Sequence, residues 1–404
     1  MSLFSQARSI AGHIGSLAAE RWAARRVFAD LGVGTKSTDD RFEVGVYFAD
    51  SPVNIYQIRQ WLGPFEVLAK SHSLGILCRN ALTARELQAE TTLPVRYSRL
   101  SSGLDKFFAE NPLRVVFYVN QNTQNFQGLK FPEPAHVHLS HGESEKISMS
   151  SNQLKAYDFA FTAGQAARDR ILSRLIDFEP ARLIDVGRPQ IDIPAHGPDL
   201  PEDDRTVVLY APTWEGDAPA MSYSSVASHG RAVVGRLLST GRHRVIYRPH
   251  PRTGVISAAA RSANAEIQDL IVKANGRDPG ANHLIDTGKD FGWGLAAADV
   301  CVCDISAVTF DWMTTAKPLL LTEPVAPGAA VDGSGVVGKL PLIAQVDADR
   351  IVELIDDLLI TGKAAEYTEL CAYHFGDTAP GESLNRFVAA TEHVIRDRSQ
   401  KLGS

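Results

Sequence analysis

The sequence predicts an α/β protein built from two doubly wound domains that face each other across a cleft. Three observations carry this expectation. Short β-branched and aromatic runs alternate with helical stretches from Phe42 onward; the alternation stops at a proline-rich break and then restarts; and each half closes a strand on a histidine, His141 in the first and His250 in the second. Parallel strands joined through helices are covered on both faces, and ligands of such sheets sit outside the carboxyl ends of the strands. Two strand-end histidines therefore imply one imidazole on each wall of a shared crevice.

In the first half, residues 42–50, 75–78, 114–120, 136–141, 157–162 and 183–187 have the composition of strands, and 53–62 and 165–175 have the length and spacing of helices. The break falls at 193–204, where Pro194, Pro198 and Pro201 stand among Asp199, Glu202, Asp203 and Asp204. Such a stretch reads as a linker. It divides the chain into an N-terminal segment (1–40), a first domain (41–193) and a second domain (194–404) that includes the terminal helices. In the second half, strands are expected at 207–211, 244–248, 284–286, 300–304 and 319–322. Helices are expected at 227–238, 255–273, from Ser306, and at 347–360, 364–373 and 381–398.

A chain of 404 residues exceeds one ordinary core. With 44% hydrophobic and 22% charged residues it is globular rather than disordered, and a net charge of -6 gives no reason to expect nucleic-acid binding. Cys78, Cys301, Cys303 and Cys371 are too few and too scattered for a disulfide framework, and Cys301 and Cys303 read as buried thiols of a reducing compartment. No apolar run reaches the roughly 20 residues of a membrane span, and the start lacks the pattern of a secretion signal. A cytoplasmic location is expected. Leu3, Ile10, Ile14, Leu17 and Trp22 recur at near-helical spacing beside Arg8, Arg21, Arg25 and Arg26. Residues 1–28 thus form a basic amphipathic helix, which either packs on its own domain or lies on an anionic membrane surface, peripheral to the inner face of the cell membrane.

Four segments at expected strand ends carry the candidate chemistry. In the stretch from His136 to Lys146, His136 and His138 share one strand face, while His141 stands past the strand beside Gly142, whose missing side chain allows close approach; Glu143 and Lys146 follow. Three histidines without cysteines or a fixed helical spacing make a poor zinc site, so His141 is read as catalytic and the other two as packing residues. After the strand ending at Ala211 come Thr213 and Trp214, free to line the cleft or to form a plain turn. In Arg248-Pro249-His250-Pro251-Arg252 two prolines stiffen the backbone around His250, and two guanidiniums supply charge that grips phosphate. Finally, Asp304 closes a buried strand and Ser306 stands where it would cap the next helix, with Thr309 and Asp311 inside it; free N–H groups there attract anions.

Taken in order, these segments resemble the CDP-glycerol glycerophosphotransferase family of teichoic-acid primases and polymerases. That family shows His-Gly-Thr-Pro, Gly-x-Pro-Arg-x-Asp, Tyr-Ala-Pro-Thr-Trp, Arg-x-His-Pro and Asp-Tyr-Ser-Ser patterns, the last followed by Phe-Asp and Lys-Pro. Here they read His141 to Ser144, Gly187 to Asp192, Tyr210 to Trp214, Arg248 to Pro251, and Asp304 to Ala307 followed by Phe310-Asp311 and Lys317-Pro318. The chain departs from the family at Glu143-Ser144, at Ala307 where a second serine would stand, and at Arg188 and Gln190.

The resemblance implies a GT-B-like fold of two Rossmann-type domains. It also implies transfer of glycerol phosphate, or a related polyol phosphate, from a CDP-activated donor to a hydroxyl of a lipid-linked or growing cell-envelope polymer, with release of CMP. By the same resemblance His141 is the general base. His250 and Arg248 stabilise phosphate charge, Thr213, Trp214, Asp304, Ser306, Thr309 and Asp311 form the donor side, and Gly142, Glu143 and Lys146 the acceptor side. No cofactor is required, and Mg2+ on the diphosphate is compatible but has no carboxylate cluster of its own. A GT-B glycosyltransferase of cell-surface polysaccharide, a sugar-nucleotide epimerase and a non-catalytic polymer-binding module are the competing readings.

Overall fold

The computed structural model describes residues 41–140, 142, 150–288, 292–315, 317–329, 336–340, 342–361 and 364–403. The amphipathic segment expected at 1–28, His141, Glu143 and Lys146 lie outside the described residues.

In the first half, β1 (Val44–Phe48), α1 (Tyr56–Leu68), β2 (Leu74–Cys78), α2 (Ala81–Glu90), β3 (Val95–Tyr97), α3 (Ser101–Glu110), β4 (Val115–Tyr118), β5 (Ala135–His138), β6 (Phe159–Thr162), α4 (Gln165–Arg174) and β7 (Leu183–Asp185) follow in order. Their strands form a seven-stranded sheet, β3-β2-β1-β4-β5-β6-β7, parallel throughout. The second half runs through β8 (Thr206–Ala211), α5 (Arg231–Ser239), β9 (His243–Tyr247), α6 (Ala258–Arg277), β10 (Leu284–Ile285), α7 (Trp293–Ala297), β11 (Val300–Cys303), α8 (Ala307–Met313), β12 (Leu319–Thr322) and β13 (Leu342–Ile343). These strands form a six-stranded parallel sheet, β10-β9-β8-β11-β12-β13. Three helices close the chain: α9 (Ile351–Thr361), α10 (Ala364–Phe375) and α11 (Glu382–Leu402). The central strands are buried end to end, as the unbroken apolar runs of β1, β4 and β11 require of a sheet covered on both faces.

Each sheet reverses its strand order once, between β1 and β4 in the first and between β8 and β11 in the second. At such a reversal the two loops leave in opposite directions and open a crevice at the carboxyl edge. The predicted site residues after β8 and β11 sit at the second of these openings.

The expected domain boundary needs one correction. Helix α11 does not complete the second domain. Phe387, Ala390, Val394 and Ile395 are buried in the first domain's core, where the Phe387 ring meets Trp61, Phe65, Phe117 and Phe161. Its N-terminus is held there as well: the Asp192 carboxylate accepts from Gly381 N at 3.0 Å and from Leu384 N at 2.8 Å. An acid that takes up the unpaired N–H groups of a helix start caps it and opposes its dipole. The chain therefore crosses between the domains twice, at the linker after Asp192 and again before α11.

Candidate functional site

A cleft of about 520 Å³ separates the domains, lined by residues of α1 and Gly142 on one wall and by Thr213, Trp214, Arg248, His250 and Ser306 on the other. The carboxyl ends of both sheets thus open on one space.

His250 follows β9 in a turn closed by Thr253 N donating to His250 O at 2.8 Å. Its Nδ1 accepts from Arg252 N at 3.1 Å. A ring nitrogen that accepts a backbone N–H carries no hydrogen, so in the neutral ring the proton sits on Nε2. Two aromatic rings fix the plane: Trp214 lies nearly parallel at 6.1 Å, and Tyr56 of α1 meets the imidazole edge-on at 5.3 Å. The Tyr56 contact crosses the cleft, so the orientation of this ring depends on both domains. Burial pushes the Tyr56 phenol up, which keeps its hydroxyl neutral.

Two guanidiniums flank the histidine. Arg252 lies over the Trp214 ring, 3.6 Å from its centroid, and pairs with Asp217 at 3.1 Å. Arg248 pairs with Asp286, which is almost fully buried and also accepts from Gly288 N at 2.9 Å. The pairing orients Arg248 at the cleft wall and offsets part of its charge. Glu215 steadies the same region by accepting from Gly254 N at 2.9 Å and Ser257 N at 3.1 Å.

Ser306 stands at the N-cap of the seven-residue helix α8, with Thr309 Oγ1 accepting from Ser306 N at 3.4 Å. The Ser306 Oγ itself has no hydrogen-bond partner among the described residues. The residue lines the cleft, but the oxygen itself is buried behind the wall. Across from it, Gly142 comes so close to α8 that a Cβ there would lie 2.8 Å from the Ala307 methyl. The glycine beside the predicted base is thus required by the approach of the two domains.

Three residues expected to touch a donor do not reach the cleft. Asp304 is fully buried behind the wall, accepting from Thr213 N at 2.7 Å, Ser225 N at 3.1 Å and Thr322 Oγ1 at 2.5 Å. Burial pushes its carboxyl up to about 6, against the lowering pull of these donors. Its work is to hold the Thr213 loop. The Thr309 hydroxyl donates to Asp304 O at 2.6 Å. Asp311 forms a buried ion pair across the domains with Arg188, Nε to Oδ1 at 2.7 Å, and Arg188 also reaches Gln60 of α1 at 3.1 Å. Burial pushes the Asp311 carboxyl up while Arg188 pulls it down. Lys317 is likewise structural: its ammonium donates to the carbonyls of Leu295, Ala296 and Ala298 and ends α7.

The first domain adds residues that no motif announced. Asn120, after β4, donates to Asp50 at 2.7 Å and Gln57 at 2.8 Å, tying the strand ends on either side of the first crevice to α1. Only the polar ends of two apolar strands hinted at them. His136 and His138 are buried, as their packing reading requires; His136 exchanges hydrogen bonds with Tyr118 at 2.9 Å and Phe131 O at 2.7 Å, and burial lowers its pKa. Among the described residues no three His, Cys, Asp or Glu side chains gather as a metal site, and no helix is long and apolar enough to cross a membrane.

Residues 136–324 match the family model of CDP-glycerol:poly(glycerophosphate) glycerophosphotransferases. Among solved structures, a variant of the wall teichoic acid polymerase TagF soaked with CDPG aligns over 100% of both chains with a TM-score of 0.57 and 13% identity. A UDP-N-acetylglucosamine 2-epimerase aligns over 87% of this chain and 95% of its own, with a TM-score of 0.55 and 16% identity. A glycosyltransferase from Rickettsia africae covers 89% of this chain and 98% of its own, with a TM-score of 0.50 and 10% identity. No curated protein sequence matches the chain. At these identities the structures show the fold alone, a GT-B-type pair of doubly wound domains, while over residues 136–324 the chain is similar to the CDP-glycerol:poly(glycerophosphate) glycerophosphotransferases.

Proposed function

We propose that this protein transfers glycerol phosphate, or a related polyol phosphate, from a CDP-activated donor to an acceptor hydroxyl of a cell-envelope polymer, releasing CMP. The observation that carries the reading is the single cleft shared by His250, Arg248, Ser306 and Gly142. The diphosphate of the donor would lie against the second domain's wall, where Arg248 and the His250 Nε2–H are the donors and, among the described residues, the neighbouring acids Asp217 and Asp286 are paired with Arg252 and Arg248. Preorganised donors aimed at developing charge are worth most in a site closed from water.

The acceptor enters from the first domain's side. His141, adjacent to Gly142, takes the proton of the attacking hydroxyl; the new P–O bond forms at the phosphorus bearing glycerol as the P–O bond to CMP breaks, and the His250 Nε2–H hydrogen-bonds the phosphate oxygens that gain charge. The two histidines so divide into a base and a donor, and the hydrogen bond from Arg252 N supports the donor reading of His250. The amphipathic segment 1–28 would bring the protein to the anionic surface where a lipid-linked acceptor resides.

Incubation with CDP-glycerol and a hydroxyl-ended acceptor is expected to release CMP and lengthen the acceptor by one phosphodiester. Because an epimerase shares the scaffold, UDP-N-acetylglucosamine is the control: turnover of that nucleotide, with CDP-glycerol untouched, would make the transfer reading wrong.

A further inference from the structure

Beside the cleft, and sharing Gly142 with it, the first domain holds a second and much smaller cavity of about 50 Å³ at the carboxyl ends of β5, β6 and β7. Trp61, His138, Thr162, Arg170 and Gln190 contribute to its wall. Most polar groups there already have work to do. Thr162 Oγ1 is bonded to Asp185 at 2.5 Å, and Arg188 is committed to Asp311 and Gln60. Gln190 differs: it is 4% exposed, and neither its Nε2 nor its Oε1 has a hydrogen-bond partner among the described residues. A buried amide with both ends unsatisfied is held at a cost unless something that both donates and accepts occupies the space.

We propose that this cavity is a subsite for the hydroxyl-bearing end of the acceptor, recognised by the two-sided amide of Gln190; the proposal rests on the transfer reading above. Size and chemistry point to the same group. At about 10–15 Å³ for each water-sized occupant, the space holds roughly four non-hydrogen atoms, the content of a terminal –CH(OH)–CH2OH unit. A hydroxyl donates to Oε1 and accepts from Nε2, which a phosphate oxygen cannot do at both ends. The sequence points the same way. Where the family pattern has an arginine, this chain has the neutral Gln190, and the guanidinium two residues earlier is tied up with Asp311. At this position the site therefore presents a neutral amide rather than a guanidinium, which suits an uncharged hydroxyl. Since Gly142 is common to cavity and cleft, a unit seated against Gln190 presents its neighbouring hydroxyl toward the cleft.

Gln190→Met keeps the volume and removes both hydrogen-bonding atoms. With CDP-glycerol as donor and a short poly(glycerol phosphate) oligomer as acceptor, it is expected to raise the acceptor KM by about tenfold or more while the donor KM stays within about twofold. It should also melt no lower than the parent protein, because the atoms removed bond to nothing in the unliganded chain. Gln190→Asn, with a retracted amide, should lose less in the same direction. An unchanged acceptor KM overturns the subsite and leaves ordered water as the partner of the amide; equal losses for donor and acceptor together with a lower melting temperature also overturn it, by making Gln190 structural. If even the parent protein leaves CDP-glycerol unreacted, the transfer reading fails separately, and saturation-transfer NMR of the same oligomer decides. Binding to the parent chain but not to Gln190→Met keeps the subsite, and any other result removes it.

Discussion

Arg188 and Asp311 form the pair on which the geometry of the site most depends. Both side chains are buried, with 3% and 0% of their surface exposed, and they join the turn after β7 to the helix whose first residues line the cleft. Removing one partner strands the other charge in a place without water. Arg188→Met is accordingly expected to lower the unfolding free energy by about 3–5 kcal/mol in urea titrations, and the double change Arg188→Met/Asp311→Leu to recover most of that loss. His250→Ala should act on turnover instead, lowering kcat by about 100-fold or more with little change in stability, as quench assays of CMP release and thermal melts would show. Sequence reasoning found these residues but not their directions. A polar residue closing a buried strand faces either the cleft or the protein; Ser306 lines the cleft, whereas Asp304, Thr309 and Asp311 turned inward to bond loop and partner domain. Tyr56 could not be seen at all, because its meeting with His250 joins residues almost two hundred positions apart.

Among the elements, α11 has the largest consequence. Its pattern of Phe387, Ala390, Val394 and Ile395 announces a helix with one buried face, and the expected 381–398 matches the observed Glu382–Leu402 closely. Periodicity says that a face is buried, but not against which sheet. Continuity along the chain assigned it to the second domain, yet it belongs to the first. Phe387→Ala, which empties a site shared by four other aromatic rings, is expected to destabilise the first domain by about 3–5 kcal/mol, and near-ultraviolet dichroism should register the loss of Trp61 packing. The central strands were readable because long apolar runs between turn residues have few other solutions. The edge strands β3 and β13, of three and two residues, were not, since so short a run owes its conformation to the neighbour it pairs with.

For the whole molecule, acid should be the sensitive direction. Burial lowers the pKa of His136, His229, His243, His283 and His374, the last two to about 4 and about 3. Below their ordinary value of 6.5 the unfolded chain takes up protons that the folded chain refuses, so stability is complete above that value and falls as the pH drops toward 4. Asp304, raised to about 6, and Asp311, also raised, work the other way, since the folded state binds their protons first, but they are two groups against five. Urea midpoints measured at about pH 7.5 and about pH 5 should therefore show the protein weaker at the lower value, and His283→Gln should flatten the difference.

The double passage of the polypeptide between its halves also bears on how the molecule comes apart. A protease that nicks the exposed proline-rich stretch near Pro198 would cut one of two tethers. The carboxyl-terminal fragment would still have its last twenty or so residues seated in the other half, pinned at Asp192 and sealed by Phe387. The nicked pieces should elute together from a sizing column and separate only in denaturant, and any rocking of one half on the other must turn about an axis that passes near both tethers.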